Sequence, residues 1–206
     1  MPSGDRGFVC GLVLAAGGSS RLGEPKQLLP FHGRPLLDHV LGVARDCDLD
    51  QLLCVVGGGA ADVRSAVDLS GIGVVENPSF GEGCSSSIAA ALGAVDPSCE
   101  TLVLMLGDQP GVTAAAVRAL LAGRGVAPLS VCRYDDGRGH PLAFARSLFG
   151  ELGALHGDKA VWKLLDRLGD GVAEVAVQGP IPLDIDTRED YEALLAADRT
   201  HSLSRR

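Results

Sequence analysis

Short apolar runs that stop at glycine or an acidic residue, separated by stretches of helical spacing, constrain this chain more than any other feature. Phe8 to Leu14, Leu52 to Val56 and Thr101 to Leu106 are such runs; Leu36 to Ala44, Ala60 to Leu69, Ser86 to Ala94 and Thr113 to Leu121 carry the helical spacing. A run without polar alternation reads as a strand buried on both faces. Strand then helix, repeated, leads to a mostly parallel sheet with helices on both faces, because parallel neighbours need a crossover and the crossover packs on the sheet. The expected class is α/β in three layers. After Leu121 the rhythm changes. Leu129 to Arg133 and Pro141 to Phe144 read as short strands around the turn-forming Asp135, Asp136, Gly137 and Arg138, a small β element at the sheet edge. Ser147 to Leu155 and Lys159 to Leu168 read as helices, Glu174 to Val177 as a strand, and Arg188 to Ala197 as a closing helix capped by Thr187, with acids in its first turn.

The 206 residues, 46% of them hydrophobic, suit one core. It is expected over residues 8–197, with 1–7 and 200–206 as disordered tails outside it. No apolar stretch approaches the roughly 18 residues a bilayer span needs, and MPSGDRG has no basic segment leading into an apolar one. The expectation is a cytoplasmic protein without a membrane partner. With 26 acidic residues against 18 basic ones the formal charge is −8, and the basic residues form no cluster, so nucleic acid is a poor partner. A small anion would need local cations or a metal. The six cysteines show no C-x-x-C spacing, and Cys10, Cys54 and Cys132 lie in apolar runs, as expected of reduced core thiols.

The strongest local signal follows the first strand. Gly17 and Gly18 let backbone N–H groups approach an anion, Ser19 and Ser20 add hydroxyls, and Arg21 and Lys26 add two positive charges. At the carboxyl end of a strand in an open parallel sheet, this composition reads as a phosphate cradle. It is not a P-loop, because Glu24 and Pro25 separate Gly23 from Lys26, and it lacks the G-x-G-x-x-G glycines. Gly57-Gly58-Gly59 after the second strand is a weaker and equally incomplete match to that fingerprint. ATPase and dehydrogenase chemistry are therefore disfavoured.

Asp108 sits just past the third apolar run in Gly107-Asp108-Gln109-Pro110, where its carboxylate should project over the same edge and suit a hard cation such as magnesium. Asp184 and Asp186 flank Ile185; on extended backbone, residues two apart share a face. The segment Gly81 to Ser87 reads as a flexible turn leading into a hydroxyl-rich helix start.

The pattern L-A-A-G-x-S-x-R-x-G-x-x-K from Leu14 to Lys26 resembles the signature of the MobA-like nucleotidyltransferases, and most of all their molybdenum cofactor cytidylyltransferase branch. The resemblance continues through Asn77-Pro78, Gly81-Glu82-Gly83, Ser85-Ser86-Ser87, Gly107 to Pro110, Gly139-His140-Pro141, Gly157-Asp158-Lys159 and Asp184 to Thr187. It implies a Rossmann-like three-layer nucleotidyltransferase fold and magnesium-dependent (Mg2+) transfer of CMP from CTP to the phosphate of molybdopterin. Arg21, Lys26 and Asp108 are the implied catalytic residues. Leu14, Ala15, Ala16, Gly17, Gly18, Ser19, Ser20, Asn77, Gly83, Ser86 and Ser87 join them in holding the nucleotide. The metal falls to Asp108 and Asp186, with Asp184 as the fallback, and Ala16 favours CTP over GTP.

For the phosphorylated pterin acceptor the candidates are Gln109, Lys159 and the loop from Arg133 to Pro141, which combines Arg133, Arg138 and His140 with glycines, His140 being given no proton-transfer role. A molybdoenzyme or its chaperone would receive the product. Two departures stand out: Phe80 replaces a frequent tryptophan but keeps a ring, and Ala160-Val161-Trp162 replaces a small residue and an arginine, removing a cation near the expected acceptor. The alternatives are a transferase acting on a sugar or polyol phosphate, a GTP-using cofactor guanylyltransferase, or a nucleotide-binding regulator without turnover.

Overall fold

The computed structural model describes residues 7–19 and 21–203. Its strands are β1 (Phe8–Ala15), β2 (Pro30–Phe31), β3 (Arg34–Pro35), β4 (Gln51–Val56), β5 (Gly73–Glu76), β6 (Cys99–Leu106), β7 (Leu129–Tyr134), β8 (Gly137–Ala145) and β9 (Val172–Ala176). Its α-helices are α1 (Leu36–Arg45), α2 (Ala60–Ala66), α3 (Cys84–Leu92), α4 (Ala114–Gly123), α5 (Phe149–Gly153), α6 (Ala160–Leu168) and α7 (Arg188–Leu203). The main sheet runs β5-β4-β1-β6-β8-β7-β9. β1 pairs parallel with β4 and β6, and β4 with β5, while β8 runs antiparallel to both β6 and β7.

β1 shows why the sheet is buried on both sides. Val9 and Val13 point into one core with α1, α2, α4 and α7, whereas Cys10, Leu12 and Leu14 point into the other with α3, α5 and α6. Alternate residues of a strand face opposite ways, so a continuously apolar strand must be covered twice. None of the helices described is long and apolar enough to cross a membrane. Cys10, Cys47, Cys54, Cys99 and Cys132 are buried free thiols and Cys84 is half-buried.

Several details differ from the expectation. The strand pair β7-β8 is not an edge element: β8 hydrogen-bonds to β6 inside the main sheet, and β9 forms the edge. The separate two-stranded sheet is instead β2-β3, turned by His32 at φ 50 and Gly33 at φ 74, the positive-φ pair of a tight hairpin. β5 has only two apolar residues at a sheet edge, too few to make an alternation, and was not anticipated. The helix expected over Ser147 to Leu155 is a 3-10 turn followed by the short α5. The closing helix continues to Leu203 rather than stopping at Ala197, so the backbone at 200–203, expected in the tail, is helical; residues 1–6 and 204–206 lie outside the described residues.

The sheet order places a crevice. From β1 the chain moves to β4 and β5 on one side, then returns to β6 on the other. The carboxyl ends of β1 and β6 therefore flank the switch point where open α/β sheets bind ligands. Two glycines allow the approach there. The N–H of Gly107 donates to the carbonyl of Leu14 at 2.8 Å, and a Cβ on Gly107 would fall 2.9 Å from that of Ala15. At the end of β4, a Cβ on Gly57 would fall 2.4 Å from the carbonyl oxygen of Ala16 and 2.9 Å from the Phe80 ring. The second glycine turn thus packs beneath the first loop. Gly57→Ala is expected to lower stability by about 1–3 kcal/mol through overpacking, read as a lower urea midpoint at unchanged slope. Gly59→Ala, with open space around its Cβ, should leave the midpoint within the range of a surface substitution.

Candidate active site

The glycine loop is held by its own side chains. Ser19 adopts φ 50 and its carbonyl accepts the N–H groups of Leu22 and Gly23, while its hydroxyl accepts the Lys26 N–H at 2.9 Å. Gln27, buried, donates its amide to the carbonyls of Ala15 (2.7 Å) and Gly17 (3.0 Å). These bonds fix the chain on both sides of the loop and aim Lys26 inward. Ser20 lies outside the described residues. Gln27 was missed in the sequence, although a glutamine next to the key lysine and followed by Leu28-Leu29 is the available sign of a buried polar group.

Lys26 Nζ reaches Asp108 Oδ2 at 2.5 Å and Asp186 Oδ1 at 2.7 Å, and Arg21 reaches Asp186 Oδ2 at 2.9 Å. The Lys26 and Asp108 side chains are 11% and 18% exposed, whereas Arg21 is 67% exposed. Weight therefore falls on the lysine, since exposed pairs contribute little. Burial works against the Lys26 charge, yet the two carboxylates outweigh it and raise its pKa. The hydrogen bond from Lys26 is the main cause holding the Asp186 carboxyl below its ordinary range. Asp108 Oδ1 is buried without a hydrogen-bond partner among the described residues.

Asp184 and Asp186 reach the site without forming a strand. Ile185 is fully buried and its N–H donates to the Asp108 carbonyl at 3.0 Å, so both flanking aspartates line the cleft. Thr187 and Asp190 cap α7 reciprocally, and Asp190 also accepts the Asp186 N–H at 3.1 Å. Capping thus falls to these neighbours, and the Asp186 side chain faces Lys26. Asp184 accepts from Gln109 at 2.8 Å; burial, then the charge of Asp108, raises its pKa.

The cleft measures about 340 Å³ and is also lined by Leu14, Ala16, Gly17, Phe80, Gly83 and Ser87. A second recess of about 320 Å³ opens across the loop beside Gly17, Gly18, Ser19 and Gly58, with Phe80 on both. Not every expected residue faces these spaces. Asn77 is buried and donates to Ser86 (2.9 Å) and Ser87 (3.0 Å). Ser86 turns back to the Gly83 carbonyl at 2.8 Å, so Asn77 and Ser86 shape the turn while Ser87 lines the cleft.

Of the residues expected to hold an acceptor, Gln109 is buried behind Asp184, Arg133 and Arg138 pair with Glu174 on β9, and Lys159 is exposed at the start of α6. The strand pair carries both arginines sideways along the sheet edge toward β9, and neither lines the cleft or the recess. Only His140 lines the cleft, packed edge-on against Trp162 at 5.6 Å between ring centres. Asp158, part of a motif given no role, also lines it.

Burial pushes the His140 pKa down to about 4, below the ordinary value of about 6.5. The folded chain keeps this ring neutral, whereas the unfolded chain takes up the proton as pH falls. His140 therefore reduces stability as pH drops from about 6.5 to about 4, by an amount on the order of 3 kcal/mol. Urea unfolding across that range should show this loss, and His140→Gln should flatten that part of the profile.

Residues 11–172, from within β1 to the first residue of β9, match the MobA-like NTP transferase domain family. The Rv0371c homolog from Mycobacterium sp. strain JC1 is 51% identical with a TM-score of 0.87, covering 92% of this chain and 96% of that one. Rv0371c of Mycobacterium tuberculosis H37Rv, crystallised in complex with manganese, is 45% identical with a TM-score of 0.81, covering 92% and 98%. The bifunctional protein GlmU of Cupriavidus necator is 42% identical over 122 residues, 58% of this chain and 26% of that protein. The chain spans about a quarter of the length of the curated relatives it matches. With its family match running across most of the sheet and its lysine and carboxylates gathered at the switch point, this chain belongs to the MobA-like NTP transferase family of nucleotidyltransferases.

Proposed function

We propose that this chain transfers CMP from CTP to the phosphate of a phosphorylated pterin, molybdopterin, and releases pyrophosphate. The observation that carries this reading is the buried Lys26 ammonium between Asp108 and Asp186, beside a glycine loop at the carboxyl edge of β1. An acceptor phosphate oxygen bonds to the α-phosphorus of CTP. The bond from that phosphorus to the bridging oxygen breaks, and its electron pair leaves with pyrophosphate. The attacking oxygen is ionised at neutral pH, so no general base is required.

The chain's part is alignment and charge neutralisation. Backbone N–H groups from Gly17 to Ser19 cradle the phosphates, and Lys26 with Arg21 offsets the charge that grows on the departing pyrophosphate. Ala16, Gly83 and Ser87 line the space for the cytidine.

A hard divalent cation suits the remaining donors. Asp108 offers a buried oxygen without a partner among the described residues, and such ions favour carboxylate and phosphate oxygens. Among the described residues no three His, Cys, Asp or Glu side chains converge into a metal cage, so the triphosphate would complete the coordination. Asp108 and Asp186 would hold the ion, magnesium being expected, with Asp184 alongside. Bound there, it would supply electrostatic neutralisation of phosphoryl oxygens.

Pyrophosphate release from CTP, magnesium and purified molybdopterin tests the reading. CTP binding without release in that mixture would mark a nucleotide-binding regulator instead. Asp108→Ala should lower kcat by about a thousandfold, in the range seen when one stabilising group is removed, with unchanged circular dichroism; full activity would remove Asp108 from the mechanism. Lys26→Ala should reduce kcat more than CTP affinity, and a defect confined to affinity would contradict its role.

A further inference from the structure

Beyond Lys26 the cleft continues along a wall of different chemistry, formed by Phe80, His140, Val161 and Trp162 with the carboxylates of Asp158 and Asp184. Among its described lining residues there is no lysine or arginine. The cations that could have served it are engaged or turned outward: Arg133 and Arg138 lie against Glu174, and Lys159 is exposed. Such a wall has nothing to hold a second anionic group, and its carboxylates would repel one.

What it offers is ring surface and hydrogen-bond acceptors. Trp162 is the chain's one tryptophan, and its T-shaped contact with His140 fixes its position. His140 is buried and stays neutral above a pH of about 4, so the two rings form an uncharged surface. Asp158 is anchored too. Its Oδ1 accepts the Cys84 N–H at 3.0 Å at the start of α3, and it packs so close to Gly83 that a Cβ there would fall 2.6 Å from the same oxygen. A ring packed against its neighbour together with a carboxylate held by a backbone N–H is the pairing that recognises a flat heterocycle whose edge carries N–H donors.

We infer that Trp162 and Asp158 form the acceptor platform, Trp162 stacking on the ring of an amino-substituted heterocycle and Asp158 accepting its N–H groups. Acceptor choice is then made by the ring and not by its phosphate. The inference rests on the transfer reaction proposed above, in which one acceptor phosphate reaches the Lys26 end, and it makes specificity residues of two positions that lie outside the glycine loop.

Calorimetry with 6-hydroxymethylpterin, a ring without phosphate, and glucose 1-phosphate, a phosphate without a planar ring, tests this on the nucleotide-free full chain. The pterin should bind the wild type more tightly than the sugar phosphate. Trp162→Ala should weaken pterin binding about tenfold to hundredfold, the range expected for one ring stacked on an aromatic side chain. Trp162→Phe should retain most of it, and Asp158→Asn, which can still accept the Cys84 N–H, should lose about tenfold. CTP affinity of the two Trp162 variants, measured on the same samples, should move by less than twofold.

The inference is overturned if the wild type binds glucose 1-phosphate as tightly as the pterin, or does not bind the pterin. A defect of Trp162→Phe as large as that of Trp162→Ala, or one that falls on CTP, also overturns it. Failure of the wild type to bind CTP counts against the transfer reaction alone, because the pterin titration contains no nucleotide.

Discussion

Taking the Lys26 ammonium out of water costs several kcal/mol, and the structure tolerates that only because two carboxylates meet it at hydrogen-bond distance. Each partner comes from a different part of the chain. Lys26 follows the loop after β1, Asp108 follows β6, and Asp186 precedes α7. The cluster therefore works as a clasp that closes only when the sheet has assembled and α7 has docked. It also holds positive and negative charge at one point without cancelling what the site needs, since Asp108 keeps one oxygen unmet among the described residues. In the proposed reaction a triphosphate would bring the complementary charge for the lysine, and a divalent cation would bring it for the carboxylates.

The rest of the architecture serves that point. A parallel strand pair at a topological switch brings the ends of β1 and β6 side by side, and the missing side chains at Gly57 and Gly107 allow the neighbouring loops to close in. Gln27 and Ser19 set the loop's shape with hydrogen bonds, and the Thr187–Asp190 cap sets the backbone of Asp186. Much of the polar hydrogen bonding near the rim thus goes into orientation, as preorganised electrostatic catalysis requires.

Much of this is legible in the amino-acid sequence. Continuously apolar strands and helical spacing sufficed for the three layers, because both patterns reflect burial, which is local in sequence. The glycine loop and Asp108 are legible because each follows a recognisable strand, and Lys26 because it closes the loop's motif. Residues whose role depends on strand pairing are not. Arg133 and Arg138 look like a cationic loop in the sequence, but they lie on β7 and β8, whose pairing carries them to Glu174 on β9. Nothing local announces that β8 enters the sheet beside β6, or that the turn before α3 uses Asn77 and Ser86 as internal braces. Trp162 stands out in the sequence only as a departure from a family pattern; the fold packs it against His140 on one wall of the cleft.

The central claim is that the Lys26 cluster is where triphosphate and metal meet. Crystals soaked in CTP and manganese, with anomalous data collected at the manganese edge, test it most directly. The account predicts one anomalous peak coordinated by Asp108 and Asp186, with the Lys26 amine turned onto a phosphate oxygen. A metal peak or triphosphate bound away from these three side chains, with the lysine still bridging both carboxylates, would contradict it.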